Sequence, residues 1–160
     1  MIRPVKIGDA RAIAEIYNYY IEHTVITFEE TPLSPADMEN RIRNITAHYP
    51  WFVYEEAGEP IGYTYINKWK ERSAYRFAAE DSLYLKHGWE GRGLGGKLMA
   101  ALLEAVKKTD IHSVTAGITL PNERSVALHE KWGFIKAACF KEIGYKQERW
   151  LDVGYWELLL

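Results

Sequence analysis

The stretch LYLKHGWEGRGLGGKLM, residues 83–99, sets four glycines, Gly91, Gly93, Gly95 and Gly96, within six positions. Glycine admits positive φ and lets a ligand approach the backbone closely. A strand-like segment precedes the turn and a helix-like one follows, so the first amides of that helix point outward beside it and favour an anion. A diphosphate suits such a nest. The spacing from Gly91 to Gly96-Lys97 matches a P-loop, but Leu98 stands where that loop needs a hydroxyl for magnesium. A dinucleotide fingerprint would follow the first strand of its fold, whereas this turn lies mid-chain. Just upstream, RFAAEDSLYL carries adjacent carboxylates, Glu80 and Asp81. On a strand they point to opposite faces, so only one of them serves a given site. A carboxylate half-buried beside aromatic residues has its pKa raised towards the range of a general base, and Glu80 is the candidate. Cys139 lies in a late strand without an activating pattern and reads as a buried small hydrophobe.

The elements that must position these groups are legible as patterns. The opening segment reads as a short strand and a helix, with Asp9 at the N-cap and Ala10, Ile13, Ala14, Tyr17 and Ile21 on one stripe. Ser34, Pro35 and Asp37 mark the start of a second helix that buries Ile42 and Ile45. WFVYEEAGEPIGYTYINKW reads as two strands joined at Ala57-Gly58-Glu59-Pro60, and SAYRFAAEDSLYL as a third. After the glycine turn, Leu98, Ala101, Leu102 and Ala105 line one face of a helix ending near Lys107 and Lys108. Strand HSVTAGITL, helix NERSVALHEKW stopped by Gly133, and strands FIKAACFKEIGY and RWLDVGYWELLL complete the chain. Interleaving of this kind predicts a mixed sheet in an α/β (α+β) fold.

The bulk properties narrow the class. The chain has 160 residues, enough for one domain with a sizeable core, and one domain over 1–160 is expected. Hydrophobic residues make up 48% and charged ones 26%, which excludes wholesale disorder. Twenty Lys and Arg against 22 Asp and Glu leave a net charge of −2, which argues against nucleic acid as a partner. A single cysteine cannot close an internal disulfide and fits a cytoplasmic location. MIRPVKIGDA has no apolar run of a secretory signal, and no apolar run is long enough to span a membrane, so no membrane partner is expected.

Two motifs carry a resemblance. EGRGLG, Glu90 to Gly95, resembles the [QR]-x-x-G-x-[GA] signature of the GNAT superfamily of N-acetyltransferases. LPNERSVALHEKWGF, Leu120 to Phe134, resembles its N-x-x-[AS]-x-x-x-Y-x-x-x-G-F element, with Asn122, Ser125, Gly133 and Phe134 in register. EIYNYYIEHTVITFEE, YPWFVYEEAGEPIGYTY, WKERSAY and GYKQERWLDVGYW look like the phosphinothricin N-acetyltransferase branch in order and spacing. Glu90 departs from the usual Gln or Arg, and its side chain is expected to face away from the anion. His129 stands at the position of the superfamily's tyrosine.

The resemblance implies the GNAT fold: a mixed, mostly antiparallel sheet of about seven strands, splayed near the cofactor, with helices on both faces. It implies acetyl-CoA as cosubstrate without a metal, a small amine as acceptor, and a homodimer. The backbone of Leu83, Tyr84 and Leu85 would bind the pantetheine arm and the acetyl carbonyl. Gly91, Arg92, Gly93, Leu94, Gly95 and Gly96 would hold the diphosphate, with Asn122 a further cofactor contact. Glu80 would be the base and His129 the acid. Lys70, Glu71 and Arg72, with Glu80, Asp81 and Ser82, would line the acceptor site, the cations meeting the carboxylate of an amino-acid analogue such as phosphinothricin, methionine sulfoximine or methionine sulfone. Acetylation of a polyamine, an aminoglycoside or a protein N-terminus is the alternative within enzymes. A non-catalytic acyl-CoA sensor is the alternative outside them.

Overall fold

The computed structural model describes residues 1–160. In chain order the strands are β1 (Ile2–Pro4), β2 (Trp51–Glu56), β3 (Glu59–Lys68), β4 (Ala78–Leu85), β5 (Ser113–Leu120), β6 (Ile135–Lys146) and β7 (Arg149–Leu159). They form one sheet in the order β1-β2-β3-β4-β5-β7-β6. Only β4 and β5 are parallel; the other neighbours run antiparallel. A parallel pair needs a crossover, and helix α3 (Leu94–Val106) supplies it.

Helices α1 (Ala10–His23) and α2 (Pro35–Thr46) bury their apolar stripes with Trp51, Val53 and Tyr63 on one face. On the other, Met99, Leu102, Leu103 and Val106 of α3 pack with Ile66, Ala79, Val114, Ala116 and Trp156, while Leu128 of α4 (Glu123–Lys131) packs against that cluster's edge. The stripe expected on α1 is buried in full, as are Ile42 and Ile45 of α2. Ser34 caps α2: its hydroxyl accepts the Asp37 N–H at 3.1 Å, and the Asp37 carboxylate accepts the Ser34 N–H at 2.9 Å. Ser34→Ala should therefore cost about 1 kcal/mol, read as a lower urea midpoint at unchanged slope.

Three local expectations are corrected. Asp9 does not cap α1. It ends a 3-10 turn, Ile7–Asp9, with its backbone already helical, and its carboxylate accepts the Lys6 N–H at 2.7 Å and two Arg3 guanidinium nitrogens at 2.8 Å. The strand expected from Ser73 begins only at Ala78, because Ser73–Tyr75 forms a 3-10 turn with the Tyr75 N–H bonded to Arg72 O. Cys139 is half-buried rather than buried, since β6 is the outermost strand and has a neighbour on one side only.

Candidate active site

The parallel pairing of β4 with β5 stops at Glu80 and Thr115, although both strands run on for another five residues. Beyond that point β4 pairs only with β3. Trp69 N–H donates to Ala78 O at one end of this ladder and Lys86 N–H to Ile61 O at the other. Antiparallel alternation then turns the backbone groups of Glu80, Ser82 and Tyr84 towards β3, and those of Asp81, Leu83 and Leu85 towards β5. Leu83 and Leu85 therefore face the wedge where β5 has parted. The Leu85 carbonyl is already occupied, accepting the Tyr20 hydroxyl at 2.6 Å. Tyr84 is corrected: its backbone is spent on β3, and its side chain packs under α1 against Tyr17 and Tyr20, each 5.1 Å away between ring centres.

The glycine turn lies at the wide end of this wedge. Gly91 and Gly93 take positive φ, 77° and 75°, and Gly93 in this left-handed conformation directly precedes α3. Leu94, Gly95 and Gly96 thus form the first helical turn rather than part of the loop, and their amides lack acceptors within the helix. A Cβ on Gly95 would approach Leu128 Cδ2 to 3.3 Å, so this glycine lets α3 and α4 pack closely; one on Gly96 would meet nothing within 4 Å. Arg92 lies 4.5 Å over the Trp89 ring, beside the turn. The carboxylate of Glu90 turns back to accept the Gly88 N–H at 2.9 Å, bracing the loop. Asn122 caps α4, its Oδ1 accepting the Ser125 N–H at 3.2 Å, beside a cavity of about 530 Å³ between α4 and the β6–β7 hairpin.

Glu80, Ser82 and Tyr84 share the α1/α2 face with Tyr63 and Tyr65, their partners or near neighbours on β3. Gly117 on β5 leaves room for the Glu80 carboxylate, since a Cβ there would come within 2.9 Å of Oε1. Burial, reinforced by the charge of Asp81 and opposed by Lys70, pushes the Glu80 carboxyl up to about 7. Lys70 lies 5.2 Å over the Trp69 ring, which meets Tyr155 edge-on at 5.4 Å. Glu71 pairs with Lys68 at 3.1 Å, and Arg72 is exposed. Of the expected acceptor cations, only Lys70 is close enough to act on Glu80.

The α1–α2 connection closes over the same face. Thr27 and Glu29 both bond the Tyr17 hydroxyl, Arg41 holds Glu29 through two nitrogens at 2.9 and 2.7 Å, and Lys146 of β6 donates to Thr27 O at 2.8 Å. Tyr17, Thr27, Glu29, Arg41, Tyr63, Tyr65 and Lys146 were not anticipated here. The alternation of Tyr63 and Tyr65 with Tyr84 opposite was the available signal.

His129 and Asp81 meet on the other face of β4. His129 Nε2 lies 2.9 Å from Asp81 Oδ2, and Nδ1 lies 2.6 Å from Ser125 O, with exposures of 5% and 8% for the two residues. Both ring nitrogens face oxygen atoms of the protein, Asp81 Oδ2 and Ser125 O. Burial pulls the imidazole pKa down, but the Asp81 bond and charge and the Ser125 carbonyl outweigh it, and the net direction is up. Two expectations change with this geometry. Asp81 is bonded to His129 and points to the opposite face of β4 from Glu80, and both ring nitrogens of His129 lie against protein oxygens.

Comparison with known proteins agrees with the architecture. A model of the Acetyltransferase (GNAT) family matches residues 13–134. Phosphinothricin N-acetyltransferase of Streptomyces viridochromogenes is 36% identical over 156 residues, 98% of this chain and 85% of that one. L-methionine sulfoximine/L-methionine sulfone acetyltransferase of Salmonella typhimurium is 33% identical over 157 residues, 96% and 90% of the two chains. The crystal structure of a GNAT phosphinothricin acetyltransferase from Sinorhizobium meliloti in complex with acetyl-CoA superposes with a TM-score of 0.96 at 36% identity, covering 100% of this chain and 88% of that one.

Proposed function

The chain belongs to the GNAT acetyltransferase family and is an N-acetyltransferase, and on that premise we propose that it transfers acetyl from acetyl-CoA to the amino group of a small amino-acid analogue of the phosphinothricin, methionine sulfoximine or methionine sulfone type. The observation that carries the reading is a half-buried Glu80, with its carboxyl raised to about 7, where β4 and β5 part. Acetyl-CoA supplies an activated acyl group as a thioester. The residues present fit it: outward amides at the α3 N-terminus for a diphosphate, the bare Gly96, and unpaired Leu83 backbone groups along the wedge. Glu80 takes a proton from the acceptor ammonium, and the freed amine attacks the thioester carbonyl directly in a ternary complex; the C–N bond forms as the C–S bond breaks, and coenzyme A leaves as a thiolate that takes up the proton released from the nitrogen. The Leu83 N–H is placed to hydrogen-bond the acyl oxygen as charge develops on it. Lys70 offers the positive charge for an acceptor carboxylate, with Ser82 as a polar contact. His129 holds Asp81 and is not assigned a proton-transfer step.

The same reading makes residues 1–160 one catalytic domain, places it in the cytoplasm and makes it a homodimer. Ile135, Ile143, Tyr145 and Trp150, exposed on and around the β6–β7 hairpin, support self-association, to be read by sedimentation equilibrium. No helix is long and apolar enough to cross a membrane. At the nest, Gly93→Val forces a β-branched residue to a φ of 75°. Displacement of the first α3 amides should then weaken acetyl-CoA binding by about tenfold or more in calorimetry, with a native circular dichroism spectrum.

The overall reading is tested by mixing the protein with acetyl-CoA and a panel of amines while following free thiol. Release with methionine sulfone, methionine sulfoximine or phosphinothricin is expected. Release only with polyamines, aminoglycosides or peptide N-termini would replace the acceptor class. Acetyl-CoA binding without thiol release from any amine would favour a sensor.

A further inference from the structure

We propose that Gly117 and Tyr155 are positioning residues for the general base: β5 is left bare at Gly117, the Tyr155 ring closes one side of the bare spot, and the Glu80 carboxylate is held in the space that remains. The inference rests on the reading of Glu80 as the base and extends it to the residues that keep the carboxylate in place. Register brings the three together. Glu80 is the last residue of β4 paired with β5, opposite Thr115. Gly117 follows Thr115 by two positions and so shares its face, and its antiparallel partner on β7 is Tyr155.

A Cβ on Gly117 would meet Glu80 Oε1 at 2.9 Å and Tyr155 Cε1 at 3.0 Å, so carboxylate and ring flank the spot that a side chain would fill. The Glu80 side chain thus reaches across the point where the strands part and lies over β5. Gly117 is exposed although β5 runs inside the sheet, so the spot opens to solvent and an acceptor amine can approach the carboxylate there. The two flanking groups differ in how far they can yield. The Tyr155 ring meets Trp69 edge-on at 5.4 Å and Phe140 edge-on at 5.8 Å, which fixes its plane. The carboxylate ends a flexible side chain, and a methyl group at position 117 would displace it before it displaced the ring.

The same contacts make the electrostatic surroundings of Glu80. Burial pushes its carboxyl up, Asp81 beside it on β4 adds to this, and Lys70 from the β3–β4 connection opposes it. Tyr65 on β3 and Tyr155 on β7 are the other titratable groups that feel its charge. Burial raises both hydroxyls, and the Glu80 charge raises them further. Both are therefore neutral where Glu80 titrates. Tyr155 acts on the base by excluding water from one side of it, which disfavours the charged form, rather than by a charge of its own.

The test follows the Glu80 carboxyl carbon by nuclear magnetic resonance as pH is varied, its signal assigned by its loss in Glu80→Gln, and needs no acceptor. In the wild type the midpoint should lie at about 7. Gly117→Ala turns the carboxylate out into water and should lower the midpoint by about one pH unit or more. The same variant should lower kcat with methionine sulfone by about 10- to 100-fold, because the base is misplaced. Tyr155→Leu removes the ring edge and should lower the midpoint in the same direction, whereas Tyr155→Phe keeps the ring and should restore it. Residues that merely pack the sheet would leave the midpoint where it is. Position 117 is exposed, so Gly117→Ala should keep a native circular dichroism spectrum, and its result decides even if Tyr155→Leu fails to fold. A midpoint unmoved by Gly117→Ala, or by a folded Tyr155→Leu, overturns the positioning role while Glu80 stands as the base. Full turnover by Glu80→Gln overturns the base and the positioning role together.

Discussion

Glu80→Gln should lower kcat by about 10²–10⁴-fold, the usual contribution of a positioned general base. The isosteric amide keeps the packing beside Gly117 and removes only the ability to take a proton. In the wild type, kcat/KM should rise with pH through a limb near 7, because burial raises this carboxyl to about 7 and only its ionised form is competent. The variant should lose that limb. Stability should move in the opposite sense. A carboxyl raised from 4.5 to about 7 on folding adds stability that is complete below about 4.5 and lost as pH rises through 7. Glu80→Gln stays neutral throughout and should melt above wild type at pH 8 and level with it near pH 4. A variant with full kcat and an unchanged pH profile would remove Glu80 from the reaction.

The second large effect is an asymmetry within the Asp81–His129 pair. His129→Gln should destabilise by about 3–5 kcal/mol at pH 7.5, because it strands a charged Asp81 whose side chain is only 2% exposed. Asp81→Asn should cost less, since burial then lets the imidazole shed its proton. The dependence on pH differs too. The raised His129 pKa means that the wild-type pair contributes fully below about 6.5 and less as pH climbs through the folded value. His129→Gln removes the imidazole and should lose this dependence. Urea titrations of both variants across this range read all three outcomes.

Elements set by local pattern were legible in the sequence. The Ser34-Pro35-Asp37 signature specifies the α2 start because its hydrogen bonds close within four residues. The glycine turn leading into α3 was legible for the same reason, and the opposed faces of Glu80 and Asp81 follow from strand alternation alone. Asp9 misled because its carboxylate had a better cation, Arg3, across the β1 turn, and propensity cannot see a competing partner. His129 looked like an acid on motif register. Only the packing of α4 against β4 reveals that Asp81 and Ser125 lie against both of its ring nitrogens. The loop over the acceptor face was invisible for a different reason: Lys146 reaches Thr27 across 119 positions of chain, and no local spacing encodes such a contact.

The wedge between β4 and β5 is the feature on which the account turns, and backbone amide spectra during an acetyl-CoA titration probe it directly. The Leu83 and Leu85 amides and those of Leu94, Gly95 and Gly96 should shift together and saturate at one equivalent, as the open strand edge and the helix mouth gain partners. Saturable binding that leaves these five amides unmoved would contradict the account.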